Sequence, residues 1–136
     1  MTEREVSELV VMMEDFQHAE RALDAMKRLH REARALDLPL LIPLLSHREA
    51  YVREAAAWPI SELAGVECLE VLFLAYQRGL DEGHDNDGFT AALADLAWSE
   101  PSRVRDACRK LAASGDAPMR ENALWLIEHC DAREPA

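Results

Sequence analysis

The residues in this chain with the most chemical potential lie together in the window Asp81-Glu82-Gly83-His84-Asp85-Asn86-Asp87-Gly88. Carboxylates at this density suit a hard cation, and the window resembles part of a calcium loop. In that register Asp85, Asp87 and Gly88 take the third, fifth and sixth places. The first place then falls on Gly83 and the twelfth on Ala94, where a bidentate carboxylate is required. One imidazole beside Asp85 and Asp87 is a thin ligand set for a transition metal. No metal and no other cofactor is expected. Two readings remain: a solvated acidic loop without a ligand, or a docking site for a basic protein. The docking reading assigns binding to Asp81, Glu82, His84, Asp85 and Asp87, with Asp95 and Glu100 as supporting charge.

Other reactive types are scattered. General acid–base catalysis needs carboxylates held in a cleft with shifted pKa, and the remaining acids fall on polar helix faces. No serine stands in a Gly-x-Ser-x-Gly elbow, and no glycine-rich phosphate loop occurs. His18 and His30 fall on solvated or half-buried helix faces. His129 adjoins Cys130, but helical neighbours point about 100° apart and do not face each other. Cys68, Cys108 and Cys130 are odd in number, widely spaced and without a Cys-x-x-Cys pair. They read as buried free thiols in a reducing, cytoplasmic compartment. No enzyme is indicated.

Charge narrows the partner. The net charge is −11, and residues 81–100 hold six acids with no Lys or Arg. More than half of the excess therefore sits in twenty residues. A nucleic-acid binder requires the opposite sign. No apolar run reaches the roughly 18–20 residues that span a bilayer, and the first fifteen residues lack the apolar core of a signal peptide. Neither nucleic acid nor membrane is an expected partner.

The elements that must carry these residues are helical. The 136 residues suit one domain, and 49% are hydrophobic, mostly Ala and Leu with few β-branched types. Thr2-Glu3-Arg4-Glu5 is a capping box before the stripe Val6, Leu9, Val10, Met13, Phe16. Val11 and Met12 widen that stripe beyond one face. A second stripe runs Ala19, Ala22, Leu23, Met26, Leu29, Ala33, Leu36, with a break near Gln17-His18. Asp37-Leu38-Pro39 opens a short apolar helix through Leu45. Tyr51–Leu63 follows, containing Pro59, whose interior position favours a kink, and it stops at Gly65. A helix over Val66–Arg78 ends at Gly79, and Asp81–Asp87 forms the longest loop. Asp87 or Gly88 starts a helix through Trp98, which is partly exposed. Glu100-Pro101-Ser102 starts the next helix. Asp116 caps the last one, with Pro118 in its first turn. About eight short helices result, and no strand pattern occurs.

Two phrases 67 residues apart are near copies: Val52-Arg53-Glu54-Ala55-Ala56-Ala57-Trp58-Pro59-Ile60 and Met119-Arg120-Glu121-Asn122-Ala123-Leu124-Trp125-Leu126-Ile127. A recurring unit is built to stack on itself. A weaker middle unit runs from Leu69 to Asp95, and the three second helices start near residues 52, 88 and 119. On these residues the chain over 37–132 resembles the HEAT-like repeat family: a short apolar helix (Leu40–Leu45), a tight turn, and a second helix opening Val52-Arg53-Glu54-Ala55-Ala56. The family's first-turn Arg falls on Arg53 and Arg120, and Val104-Arg105-Asp106-Ala107 repeats the phrase at the head of a first helix. His47 and Ser114 stand where the family's turn Asp belongs. Glu49 and Asp116, each four residues before an Arg, are candidate replacements.

The resemblance implies an all-α fold, a short right-handed α-α superhelix of about three helix pairs. Residues 1–36 would form an N-terminal helical cap, 37–132 the repeats and 133–136 a fraying tail. Trp58 and Trp125 would fill the same packing slot in two repeats. Arrays of this kind serve many partners. The small size and acidic charge suggest a non-catalytic protein-binding module, most concretely a bacterial immunity protein or antitoxin that occludes a basic toxin. Other uses of the fold are a scaffold or chaperone-like subunit, including lyase-type members, and an enzyme. The chain is expected to be a monomer or weak homodimer.

Overall fold

A computed structural model describes residues 1–132, and every regular element among them is helical. The helices are α1 (Glu3–Glu14), α2 (Ala19–Glu32), α3 (Leu38–Leu41), α4 (Ala50–Ala64), α5 (Leu69–Asp81), α6 (Asp87–Ser99), α7 (Pro101–Ser114) and α8 (Ala117–Ala132). Short 3-10 turns at Ala35–Asp37, Ile42–Ser46 and Gly65–Cys68 join or extend them. Residues 133–136, the expected fraying tail, lie outside the described residues.

The chain divides into two compact units, Met1–Ala64 and Gly65 onward. The boundary drawn in sequence at residue 36 therefore falls inside the first unit, because α4 packs on α2 and α1 as well as on α3. Residues 1–36 are built into a core with α4.

In the first unit Thr2 closes its capping box: the Glu5 N–H donates to Thr2 Oγ1 at 3.1 Å and the Thr2 N–H to Glu5 Oε1 at 3.2 Å. Val6, Leu9 and Met13 are buried, whereas Phe16 lies past the end of α1 and is 66% exposed. Asp15 makes the break, accepting from the Gln17 N–H at 3.1 Å and lying 2.6 Å from His18 Nδ1. On α2 the buried line is Ala22, Ala25, Leu29, continuing to Ala33. Leu36, assigned to that stripe from spacing, is 93% exposed, because the helix has ended at Glu32 and the 3.6-residue period no longer applies. The Met1 ammonium donates to Asp37 Oδ1 at 2.7 Å, and the Arg34 N–H donates to Asp37 Oδ2 at 2.8 Å. These bonds hold the Asp37 carboxyl below its ordinary pKa of 3.8. α4 runs unbroken through Pro59.

In the second unit α8 is the central helix, packed most extensively on α7 and also on α6 and α5. Its core contributions are Met119, Ala123, Leu126 and Cys130. Asp116 accepts from the Met119 N–H at 3.0 Å and so caps α8. Each near-copy phrase thus forms the central helix of its own compact unit. Burial is shared at Val52/Met119, Ala55/Asn122, Ala56/Ala123 and Pro59/Leu126. It differs along one stripe: Arg53, Ala57 and Ile60 are buried, while Arg120 and Leu124 are exposed and Ile127 is half-buried.

Candidate functional site

The acidic window folds into a tighter turn than its composition suggests. Gly79 does not end α5, which continues to Asp81, and Asp87 already belongs to α6. Only residues 82–86 connect the two helices. The cause is a chain of backbone closures. The His84 N–H donates to the Gly79 carbonyl at 2.9 Å and the Gly83 N–H to the Leu80 carbonyl at 3.0 Å, with Gly83 at φ +86°. This is the Schellman arrangement, in which a left-handed glycine satisfies the last carbonyls of a helix. The Asp85 carboxylate then accepts from the Asp87 N–H at 3.0 Å, an Asx turn that leads into α6.

Asn86 locks this turn to the unit beneath it. It is 7% exposed, sits at φ 57° in the left-handed region, and donates from Nδ2 to the Tyr76 carbonyl at 2.7 Å. Its own carbonyl accepts from the Thr90 N–H at 2.7 Å, in the first turn of α6. The carboxamide lies flat on Gly79, where any Cβ would come within 2.8 Å of Asn86 Nδ2. Gly79 is therefore glycine because Asn86 occupies the space a side chain would need. In the sequence Asn86 and Gly79 read as loop and helix end. The one signal for their role was an asparagine, tolerant of the left-handed region, seven residues after a glycine.

Asp81, Glu82, His84, Asp85 and Asp87 are all exposed on this turn or the helix ends beside it. Local partners temper some of the charge. Gln77 Nε2 donates to Asp81 Oδ1 at 2.8 Å, Arg78 Nε donates to Glu82 Oε2 at 3.0 Å, and His84 Nε2 lies 3.6 Å from Glu82 Oε1. Asp85 and Asp87 are both exposed. Asp95 is exposed on α6, eight residues and about 12 Å along the helix axis from Asp87. Glu100 lies past the far end of α6, about 20 Å away. There it pairs with Arg103 Nη1 at 2.8 Å and rests against Gly65. The structure thus brings together five of the seven expected binding residues and sets Asp95 and Glu100 apart.

The repeat residues have separate tasks. Arg53 is 1% exposed and donates from Nη1 to the carbonyls of His47 and Arg48 at 2.9 and 3.2 Å, tying down the turn before α4. Arg120 is exposed, and Asp116 spends its carboxylate on the α8 cap. Trp58 and Trp125 are both half-buried. The Trp58 ring lies 6.0 Å from His30, whose Nε2 is 2.8 Å from Glu62 Oε2. Trp125 stacks on Tyr76 at 5.5 Å and meets the His129 edge at 4.9 Å, and Tyr76 in turn touches Phe89 at 5.7 Å. Trp98, 40% exposed, closes this aromatic row 6.1 Å from His129. His129 thus faces indoles, while Cys130 is buried beside it in sequence.

Among the described residues no three His, Cys, Asp or Glu side chains converge as a metal site. Burial pushes all three thiols up, Cys108 to about 12, which keeps them protonated at neutral pH. No helix among the described residues is long and apolar enough to cross a membrane. Comparison of the chain with protein-family models, with curated proteins and with solved structures returns no match.

Proposed function

We propose that this chain is a non-catalytic protein-binding module of the HEAT-like helical-repeat kind, docking a basic protein through the α5–α6 turn and the adjoining helix face. Its most concrete form is an immunity protein or antitoxin that neutralises a toxin by steric and electrostatic occlusion. The observation that supports this reading best is the construction of the turn. Exposed Asp81, Glu82, His84, Asp85 and Asp87 are carried on a backbone fastened by the buried Asn86 carboxamide. A charged loop held in one geometry loses little conformational entropy on binding. Its negative field speeds encounter with a basic surface and rejects acidic ones.

The test uses the intact chain as bait in native lysate, followed by stopped-flow association with the protein it captures. The captured protein is basic, and its association rate falls with salt. The Asp85→Lys/Asp87→Lys variant associates at least about tenfold more slowly and loses most of that salt dependence. An unchanged association rate would sink the proposal. Co-expression of the captured protein with and without this chain tests neutralisation directly.

A further inference from the structure

The first compact unit carries an open groove of about 470 Å³ between one side of α1 and residues 39–44. Its α1 wall is the stripe Glu3, Ser7, Val10 and Glu14, spaced three and four residues apart and broadened by Val6 and Val11. The facing wall is Pro39, Leu40, Pro43 and Leu44. Val11 is 67% exposed, and Val10, Leu40 and Leu44 are half-buried, so apolar carbon on both walls meets water. A contiguous strip of this sort marks an interaction surface.

Length, backbone chemistry and charge together select the occupant. α1 has 12 residues, about 18 Å or three helical turns. Its amides are spent within the helix, and Pro39 and Pro43 have no N–H to offer. An extended strand laid here would find no backbone partners, whereas a helix arrives with its own satisfied. Glu3 and Glu14 stand at the two ends, and no Lys or Arg lines the groove. Glu14 is held only loosely, 3.5 Å from His47 Nε2 and 3.6 Å from Arg48 Nη2. A second copy would bring its own Glu3, Glu5, Glu8 and Glu14 against a single Arg4, a like-charge meeting that disfavours self-association.

We infer that this groove binds an amphipathic helix of another protein, apolar at i, i+3/i+4 and i+7, with Lys or Arg at each end. The inference is independent of the α5–α6 turn, which lies in the other compact unit, so the two proposals fail separately.

A display library of helical peptides of about 14 residues, matched to the length of α1, is selected on the intact chain. Binding of the selected peptides is then measured by fluorescence anisotropy. The expected peptides have one apolar face and basic ends. Val11→Asp weakens them about tenfold or more by placing a charge in the apolar strip, with an unchanged circular dichroism spectrum because Val11 is exposed. Glu3→Lys weakens them, and Asp85→Lys/Asp87→Lys leaves them unchanged. The inference is overturned by a selection that yields no peptides, or only acidic or proline-rich ones. It is also overturned by binding that survives Val11→Asp, or by a concentration-dependent dimer in sedimentation velocity that Val11→Asp dissociates.

Discussion

Removing the Asn86 carboxamide would leave the Tyr76 carbonyl without its 2.7 Å donor and keep a non-glycine residue at φ 57°. A lost buried hydrogen bond costs about 1–3 kcal/mol, and a residue with a plain Cβ in the left-handed region adds about 1–2 kcal/mol. Asn86→Ala therefore destabilises more than Asn86→Gly in urea denaturation, since glycine relieves the backbone term and keeps only the first. The cysteines give a second test at this scale. Cys68 is half-buried, while Cys108 and Cys130 are buried with thiols pushed up by desolvation. Ellman's reagent labels Cys68 first and reaches the other two only on unfolding; prompt labelling of Cys108 in the native protein would contradict the packing. The acidic side chains of the turn were legible in sequence because charge is a property of residue type. Asn86 and Gly79 were not, because their roles depend on a contact across seven residues that composition does not encode.

At the scale of helices, the two copies of one phrase occupy unequal settings. Arg53 is sealed and bonded to two turn carbonyls, and Ala57 is fully buried; Arg120 and Leu124 stand in solvent. Arg53→Ala thus costs about 2–4 kcal/mol, since charged hydrogen bonds and packing are lost together, whereas Arg120→Ala stays within about 0.5 kcal/mol. Giving α4 the residue of its copy, Ala57→Leu, overpacks a closed site at about 1–3 kcal/mol. The reverse change, Leu124→Ala, is nearly neutral. Thermal denaturation of the four variants checks the asymmetry, and equal costs for Arg53→Ala and Arg120→Ala would refute it. Periodicity identified both helices. It could not separate the stripe 53/57/60 from 120/124/127, because whether a stripe is covered depends on what packs over it.

For the molecule as a whole, the carboxyls with depressed pKa set the acid limb of stability. Asp37 is lowered from 3.8 by the Met1 ammonium and the Arg34 N–H, Asp15 from 3.8 chiefly by its bond to His18, and Glu5 from 4.5 by the Thr2 amide. A folded pKa below the unfolded one stabilises above the unfolded value and is lost as pH falls through the folded value. Melting temperature is therefore level with respect to these groups above pH 4.5 and declines below 3.8. Asp15 and Glu5 are only half-buried, and solvent screening weakens their share, whereas Asp37 is buried and dominates. Asp37→Ala lowers stability at neutral pH and flattens the decline in acid; a parallel downward shift at all pH values would contradict this assignment.

The amino-acid sequence alone determined the helical class, most helix boundaries, the Asp116 cap, and the place of the acidic charge. These follow from side-chain chemistry acting over three or four residues, where spacing and capping dominate the energy. Tertiary structure decided the rest. It grouped residues 1–36 with α4, gave Arg53 and Arg120 different surroundings, shortened the acidic loop to five residues, and opened a groove beside α1. Those outcomes turn on which surfaces meet at long range, and burial there is shared between partners that no local pattern names.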